Sequence, residues 1–166
     1  MSLIRTCLSS LVLVVALLVV TTSAKASGTT SQDIILSVTD VNDTVHSLNM
    51  QTLREIGVES ITTSTIWTEG VHEFTGVPLV ALLRHLDIQG GEIQAFAIND
   101  YSVSIPASDA RPGGPILAFE QNGEPIPRRR KGPLWIIYPF DSAPEFRTET
   151  IYSRSIWQLN RLVISD

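Results

Sequence analysis

The chain has 166 residues, with 12 basic and 17 acidic side chains, a formal net charge of −5, 43% hydrophobic residues and one cysteine. That length and apolar content suffice for one domain with a sizeable core. The acidic balance repels nucleic acid phosphates and anionic lipid, which excludes both as expected partners.

The N-terminus carries Arg5, an unbroken apolar run over residues 11–20, and Ala24-Lys25-Ala26. This order matches a secretory signal peptide spanning residues 1–26. The ten-residue apolar run is too short for a membrane span, which needs about 20 residues. The expected mature chain, residues 27–166, is a single domain in the periplasm or the medium, with no membrane attachment after cleavage. Arg5, Lys25 and Cys7 leave with the signal, so ten basic residues face seventeen acidic ones, a net charge near −7. No cysteine then remains for a disulfide, a nucleophile or a metal, and the hydrophobic core must carry the stability.

Residues 27–32 are small and polar and read as a frayed start. Residues 33–39 alternate, with Ile34, Leu36 and Val38 on one face of a strand. The Asx-rich residues 40–43 predict a turn, and 44–48 a hairpin partner. Asn49 is placed to cap a short helix that runs to Ile56 and stops at Gly57. Residues 58–68, rich in Thr and Ile, read as one strand ending near Trp67. Residues 74–77 read as a tight approach to the next helix. In that helix Pro78 suits the first turn, while Leu79, Leu82, Leu83 and Leu86 form one apolar stripe before Gly90-Gly91.

Two short strands, 92–98 and 101–105, flank Asn99-Asp100, and residues 107–114 form a loop with one helical turn. A strand at 116–119 meets the hairpin signal Asn122-Gly123. The basic run Arg128-Arg129-Arg130-Lys131 leads to residues 134–138, an apolar strand expected to be covered on both faces. A long polar loop, 139–154, then precedes a last strand starting at Ser155. Its inward face switches from Trp157 and Leu159 to Leu162 and Ile164, which predicts a bulge near Asn160-Arg161.

The residues themselves point to no catalytic group and no metal site. His46, His72 and His85 are far apart, and none sits in a ligand spacing. The chain has no Gly-x-Ser-x-Gly elbow and no phosphate-loop spacing around Gly113-Gly114. The loop 139–154 is the expected wall of any binding site, with Asp141, Tyr152 and Arg154 among its polar residues. The basic run has two readings: a solvated turn, or an anion site. Read as strand, it sends alternate side chains to opposite faces, so only two of the four cations could converge on one ligand; Arg130 and Lys131 are the candidates, and Arg154 could join them.

The motifs Gly76-Val77-Pro78-Leu79 before Leu82-Leu83, Asn99-Asp100-Tyr101 with Ile105-Pro106, and Leu117-Ala118 before Asn122-Gly123-Glu124-Pro125 carry a likeness. So do Gly132-Pro133-Leu134-Trp135 and Tyr152-Ser153-Arg154-Ser155-Ile156-Trp157. Together they resemble the molybdopterin-binding domain of the sulfite oxidase family from about Phe74 to Ile164. The resemblance implies an α+β fold of mixed sheets and brings molybdopterin as the candidate cofactor, where the residues alone predict none. It also implies that Arg154 and Ser155 match a basic-Ser pair associated with the pterin phosphate, and that Asn99, Asp100 and Tyr101 match a turn near the substrate side. The family's metal-binding cysteine precedes this core, in a segment with no counterpart here.

The combined expectation is an exported, non-catalytic module of this fold that binds a small anionic ligand or a periplasmic partner protein. Its expected binding residues are Arg154, Ser155, Tyr152, Arg130, Lys131, Asp141, Asn99, Asp100 and Tyr101. A second reading keeps a molybdopterin-dependent oxidoreductase, or a subunit of one, that holds its cofactor without cysteine. A third is a purely structural accessory protein.

Overall fold

The computed structural model describes residues 33–166, so the expected signal segment 1–26 and the polar residues 27–32 lie outside the described residues. Alternating apolar side chains make β1 (Ile34–Thr39), whose Leu36 and Val38 are fully buried while Ile34 stands in solvent. Asp40 builds the next turn, accepting from the backbone N–H groups of Asn42 and Thr44. The chain returns as β2 (Val45–Asn49), antiparallel to β1. Asn49 caps α1 (Met50–Ile56) by accepting from the N–H of Thr52 at 2.8 Å, and Gly57 closes the helix. Both ends lie where the sequence predicts them.

Residues 58–68, expected as one strand, form two. β3 (Glu59–Thr65) folds back at Ile66 and Trp67 into β4 (Thr68–Pro78), an eleven-residue strand that takes in the expected approach at 74–77. Neither turn residue is Gly, Pro or Asn; threonines hold the reversal instead. The Thr65 and Thr68 hydroxyls lie 2.8 Å apart, and Thr65 Oγ1 accepts from the N–H of Trp67 at 3.1 Å. α2 (Leu79–His85) buries Leu79, Leu82 and Leu83, with Pro78 as its N-cap rather than in its first turn.

β5 (Glu92–Ala97) and β6 (Ser102–Pro106) pair around the Asn99-Asp100 bend, and a single 3-10 turn (Ala107–Asp109) follows. β7 (Ile116–Gln121) reverses through Asn122 and Gly123, at φ 54° and 78°, into the two-residue β8 (Glu124–Pro125). The apolar run 134–138 is fully buried as expected, and its centre is β9 (Trp135–Ile137), antiparallel to β7.

The C-terminal third differs from expectation in two places. The loop 139–154 contains a 3-10 turn (Pro144–Phe146) and a helix, α3 (Glu149–Arg154), capped by Thr148, whose hydroxyl accepts from the N–H of Ile151. The last strand, β10 (Leu159–Ser165), starts four residues later than Ser155. Gln158 at φ 52° interrupts the run before it, and Trp157 makes only an isolated bridge to Trp135 and is 38% exposed. The predicted switch of face is present: the pairing of β10 with β5 shifts between Leu159 and Arg161.

Among the described residues the strands form two five-stranded sheets, β2-β1-β10-β5-β6 and β3-β4-β7-β8 with β9 beside β7. β1 and β10 run parallel, and the other pairs are antiparallel. One hydrophobic core joins the two sheets: Leu36, Val38, Ile93, Leu162 and Ile164 come from the first, and Phe74, Val77, Leu117 and Trp135 from the second. The architecture is the α+β mixed-sheet domain that the sequence predicts.

Candidate functional site

The β3–β4 reversal carries Trp67 onto a cluster of rings. Its indole meets Trp135, Phe140, Tyr152 and Trp157 edge-on, with centroids between 5.7 and 6.2 Å apart. Trp135 is fully buried and donates its indole N–H to the carbonyl oxygen of Ser155 at 3.0 Å. That bond ties the segment after α3 to β9. Between this segment and the β5–β6 bend lies a cavity of about 370 Å³, with Trp67, Trp157, Tyr152 and Tyr101 among its walls.

Asn99, Ser153 and Ser155 supply side-chain polarity to the cavity, and no acidic or basic residue lines it. Both serine hydroxyls are engaged by their own helix: Ser153 donates to the carbonyl of Thr150 at 2.7 Å, and Ser155 to that of Ile151 at 3.0 Å. Asn99 Oδ1 accepts from the N–H of Tyr101 at 3.3 Å. The lining holds no nucleophile beside a base and no pair of groups able to exchange a proton. It is an apolar cavity with a few neutral polar groups, suited to a flat ring that stacks on or packs against indole and phenol.

A second cavity of about 830 Å³ shares Trp67 with the first. Arg130 and Lys131 line it, together with His72, Glu69, Glu124 and apolar residues of 125–127. The basic run is a turn and not a strand, so the strict alternation expected of it does not apply. Lys131 folds its ammonium over the rings of Trp157 and Trp135, at 3.9 and 5.1 Å from their centroids. Burial there pulls its pKa below the ordinary value for lysine, while the aromatic faces attract the charged form.

Four of the nine expected binding residues meet in the first cavity: Asn99, Tyr101, Tyr152 and Ser155. Arg130 and Lys131 belong to the second. The remaining three form ion pairs. Arg154 Nη1 lies 2.9 Å from Asp109 Oδ2, which also accepts from the Tyr138 hydroxyl at 2.7 Å. The expected convergence of Arg154 with the basic run therefore does not occur. Burial first, and then Asp109, push the Tyr138 phenol far above its usual ionisation range, so it stays a neutral donor. Asp141 accepts from the backbone N–H and hydroxyl of Ser64 and pairs with Arg147 at 2.9 Å. Asp100, at φ 62°, pairs with Arg161 at 3.2 Å in solvent.

Sequence reasoning missed Trp67 as a site residue, because nothing in 58–68 marks the reversal that places it. It also missed Asp109, which reads as an ordinary loop acid until Tyr138 and Arg154 are seen to meet on it.

Fold and cavity together define a mixed-sheet α+β domain with an aromatic pocket. The chain belongs to the family described as the oxidoreductase molybdopterin binding domain, whose model matches residues 25–143. Tyr152, Ser155 and Trp157 lie beyond the matched stretch, whereas Trp67, Asn99 and Tyr101 lie inside it. Among solved structures, the sulfane dehydrogenase SoxCD from Paracoccus pantotrophus is similar at 19% identity and a TM-score of 0.62. The match covers 81% of this chain but only 39% of that one, so this chain corresponds to well under half of the SoxCD chain. No curated protein matches the chain.

The aromatic walls fit the ring system of a pterin, and the described residues include no cysteine to hold a metal by a thiolate. No group of three or more His, Cys, Asp or Glu side chains is placed to hold a metal ion among the described residues. Cys7, the chain's one cysteine, lies outside them.

Proposed function

We propose that this protein is an exported, non-catalytic binding module that takes a flat heteroaromatic ring of the pterin class into its aromatic cavity. One observation carries the reading: four aromatic residues line a half-open cavity of about 370 Å³ with neutral polar groups and no charged lining residue. Such a lining favours ring burial and offers no acid, base or nucleophile to act on what it holds. Membership of the molybdopterin-binding family supports the ring chemistry. Arg154 pairs with Asp109, so this reading does not draw on it as an anion clamp. Export rests on the residue pattern of 1–26.

Titrating the purified protein with a soluble pterin, and reading tryptophan fluorescence, tests the reading. Saturable quenching that is lost in Trp67→Ala supports it, provided the variant keeps a cooperative melt. Molybdenum analysis of the same preparation gives the decisive alternative: one equivalent of metal per chain, with electrons passed to a dye, would establish the oxidoreductase reading instead. N-terminal sequencing of protein recovered outside the cytoplasm, with a start near Ser27, checks the export step.

A further inference from the structure

The second cavity stands apart from the ring pocket in its chemistry. It is an open groove between the first half of β4, β8 and the basic turn. Pairing of β4 with β7 begins at Phe74, so Thr68, Val71 and His72 pair with β3 on one side and have no β7 partner on the other. Asn122 closes the ladder at that point, its N–H donating to the Glu73 carbonyl and its Oδ1 accepting from the Glu73 N–H. Trp67, Pro125, Ile126 and Pro127 give the groove apolar surface.

The basic turn beside it is held in place rather than left to solvent. Gln158 Nε2 donates to the carbonyls of Arg128 and Arg130 at 2.8 and 3.3 Å, and the Gln158 N–H to that of Lys131 at 2.9 Å. Gln158 adopts φ 52° to do so, a conformation that carries strain for a residue with a side chain. Gly132 ends the turn where any Cβ would collide with the Ile126 carbonyl. Arg128, Arg129 and Arg130 are exposed and take part in none of the ion pairs among the described residues, while Arg54, Arg147, Arg154 and Arg161 all do. A chain of net charge −5 thus presents three guanidinium groups without an ion-pair partner on one held turn, and Arg130 of that turn lines a groove of mixed polar and apolar character.

We infer that this groove docks an extended acidic segment of a partner protein, with alternate apolar side chains against Trp67 and 125–127 and carboxylates on Arg128–Arg130. A strand sends successive side chains to opposite sides, which matches an apolar surface with a basic rim. Glu69 and Glu124 line the same groove, and they repel carboxylates away from β4 and toward the turn. Guanidinium groups suit bidentate carboxylate recognition, and the backbone that carries them is already held by Gln158, so it loses little freedom on binding.

The test uses a fluorescein-labelled peptide of alternating glutamate and valine, a lysine-for-glutamate version, and a DNA oligonucleotide, each titrated by anisotropy. The first should bind, weaken as salt is raised, and weaken at least about tenfold in the triple variant Arg128→Ala, Arg129→Ala, Arg130→Ala. These three side chains are exposed and make no ion pair among the described residues, so the variant should melt with the parent protein. Lys131 is left intact because it covers Trp157. Equal binding of the lysine version, equal binding by the triple variant, no binding of the acidic peptide, or tighter binding of the DNA would each overturn the inference. Ring binding in the aromatic cavity is read separately by pterin quenching, so either idea can fail alone.

Discussion

Arg154 shows how a cation that reads as a ligand clamp becomes a pin. Its guanidinium, the Asp109 carboxylate and the Tyr138 hydroxyl meet at 2.7 and 2.9 Å, joining α3 to the turn after β6 and to the segment after β9. Arg154→Ala leaves a half-buried carboxylate short of its charge partner, and should cost about 1–3 kcal/mol in urea unfolding. In a double-mutant cycle, Arg154→Ala and Asp109→Ala should fall short of additivity; costs that add within about 0.3 kcal/mol would mean the pair is not coupled. Asp141 makes a pH-dependent counterpart. The Ser64 backbone N–H first, then the Ser64 hydroxyl and Arg147, hold its carboxyl below the ordinary 3.8. The unfolded carboxyl therefore binds protons more readily than the folded one. Its stabilising contribution is complete above 3.8 and is lost as pH falls through the lower folded value. Melting temperatures of Asp141→Asn and the parent should differ at neutral pH and converge in strong acid; a constant gap across the range would contradict the assignment.

At the scale of elements, the pocket depends on two features that bracket what could be read in advance. α3 carries Tyr152 and Ser153, and its start is held by Thr148. Thr148→Ala should cost about 1 kcal/mol of stability, and it should weaken pterin quenching as well, because the helix end that it frees bears a cavity wall. Quenching that survives unchanged would show that α3 only frames the pocket. The helix was legible in principle, since Thr148 before Glu149 is an ordinary helix start, but the polar run 139–154 masked it. Asn49 and the Asn122-Gly123 turn were fully legible, because their chemistry is local: a carboxamide oxygen meets an N–H three residues on, and two left-handed residues close a hairpin. The β3–β4 reversal was not, because its threonine hydroxyls support turn and strand alike and only the pairing of β3 with β4 reveals it. Trp67, the ring shared by both cavities, was hidden with it.

Over the whole molecule, the mixed-sheet fold followed from motif order along the chain, whereas the site needed contacts between distant segments. Tyr152 and Ser155 reach Asn99 and Tyr101 only because β10 inserts between β1 and β5. That insertion gives the last strand unusual weight. β10 pairs in parallel with β1 on one side and antiparallel with β5 on the other, and it buries Leu159, Leu162 and Ile164. Without it, the β1–β2 and β5–β6 hairpins share no hydrogen bonds, and isolated hairpins are marginal in water. The apolar faces of Leu36, Val38, Ile93 and Ala95 would be uncovered together, and the core they share with the second sheet would open. A chain that stops before Leu159 should therefore show no cooperative thermal transition, even though α1, α2 and the second sheet keep every residue. In the full chain, amide exchange in β1 should be as slow as in β10, since neither strand can be released alone. A truncated protein that still melts cooperatively within a few degrees of the full chain would mean that the second sheet folds by itself, and that the first is only an attachment to it.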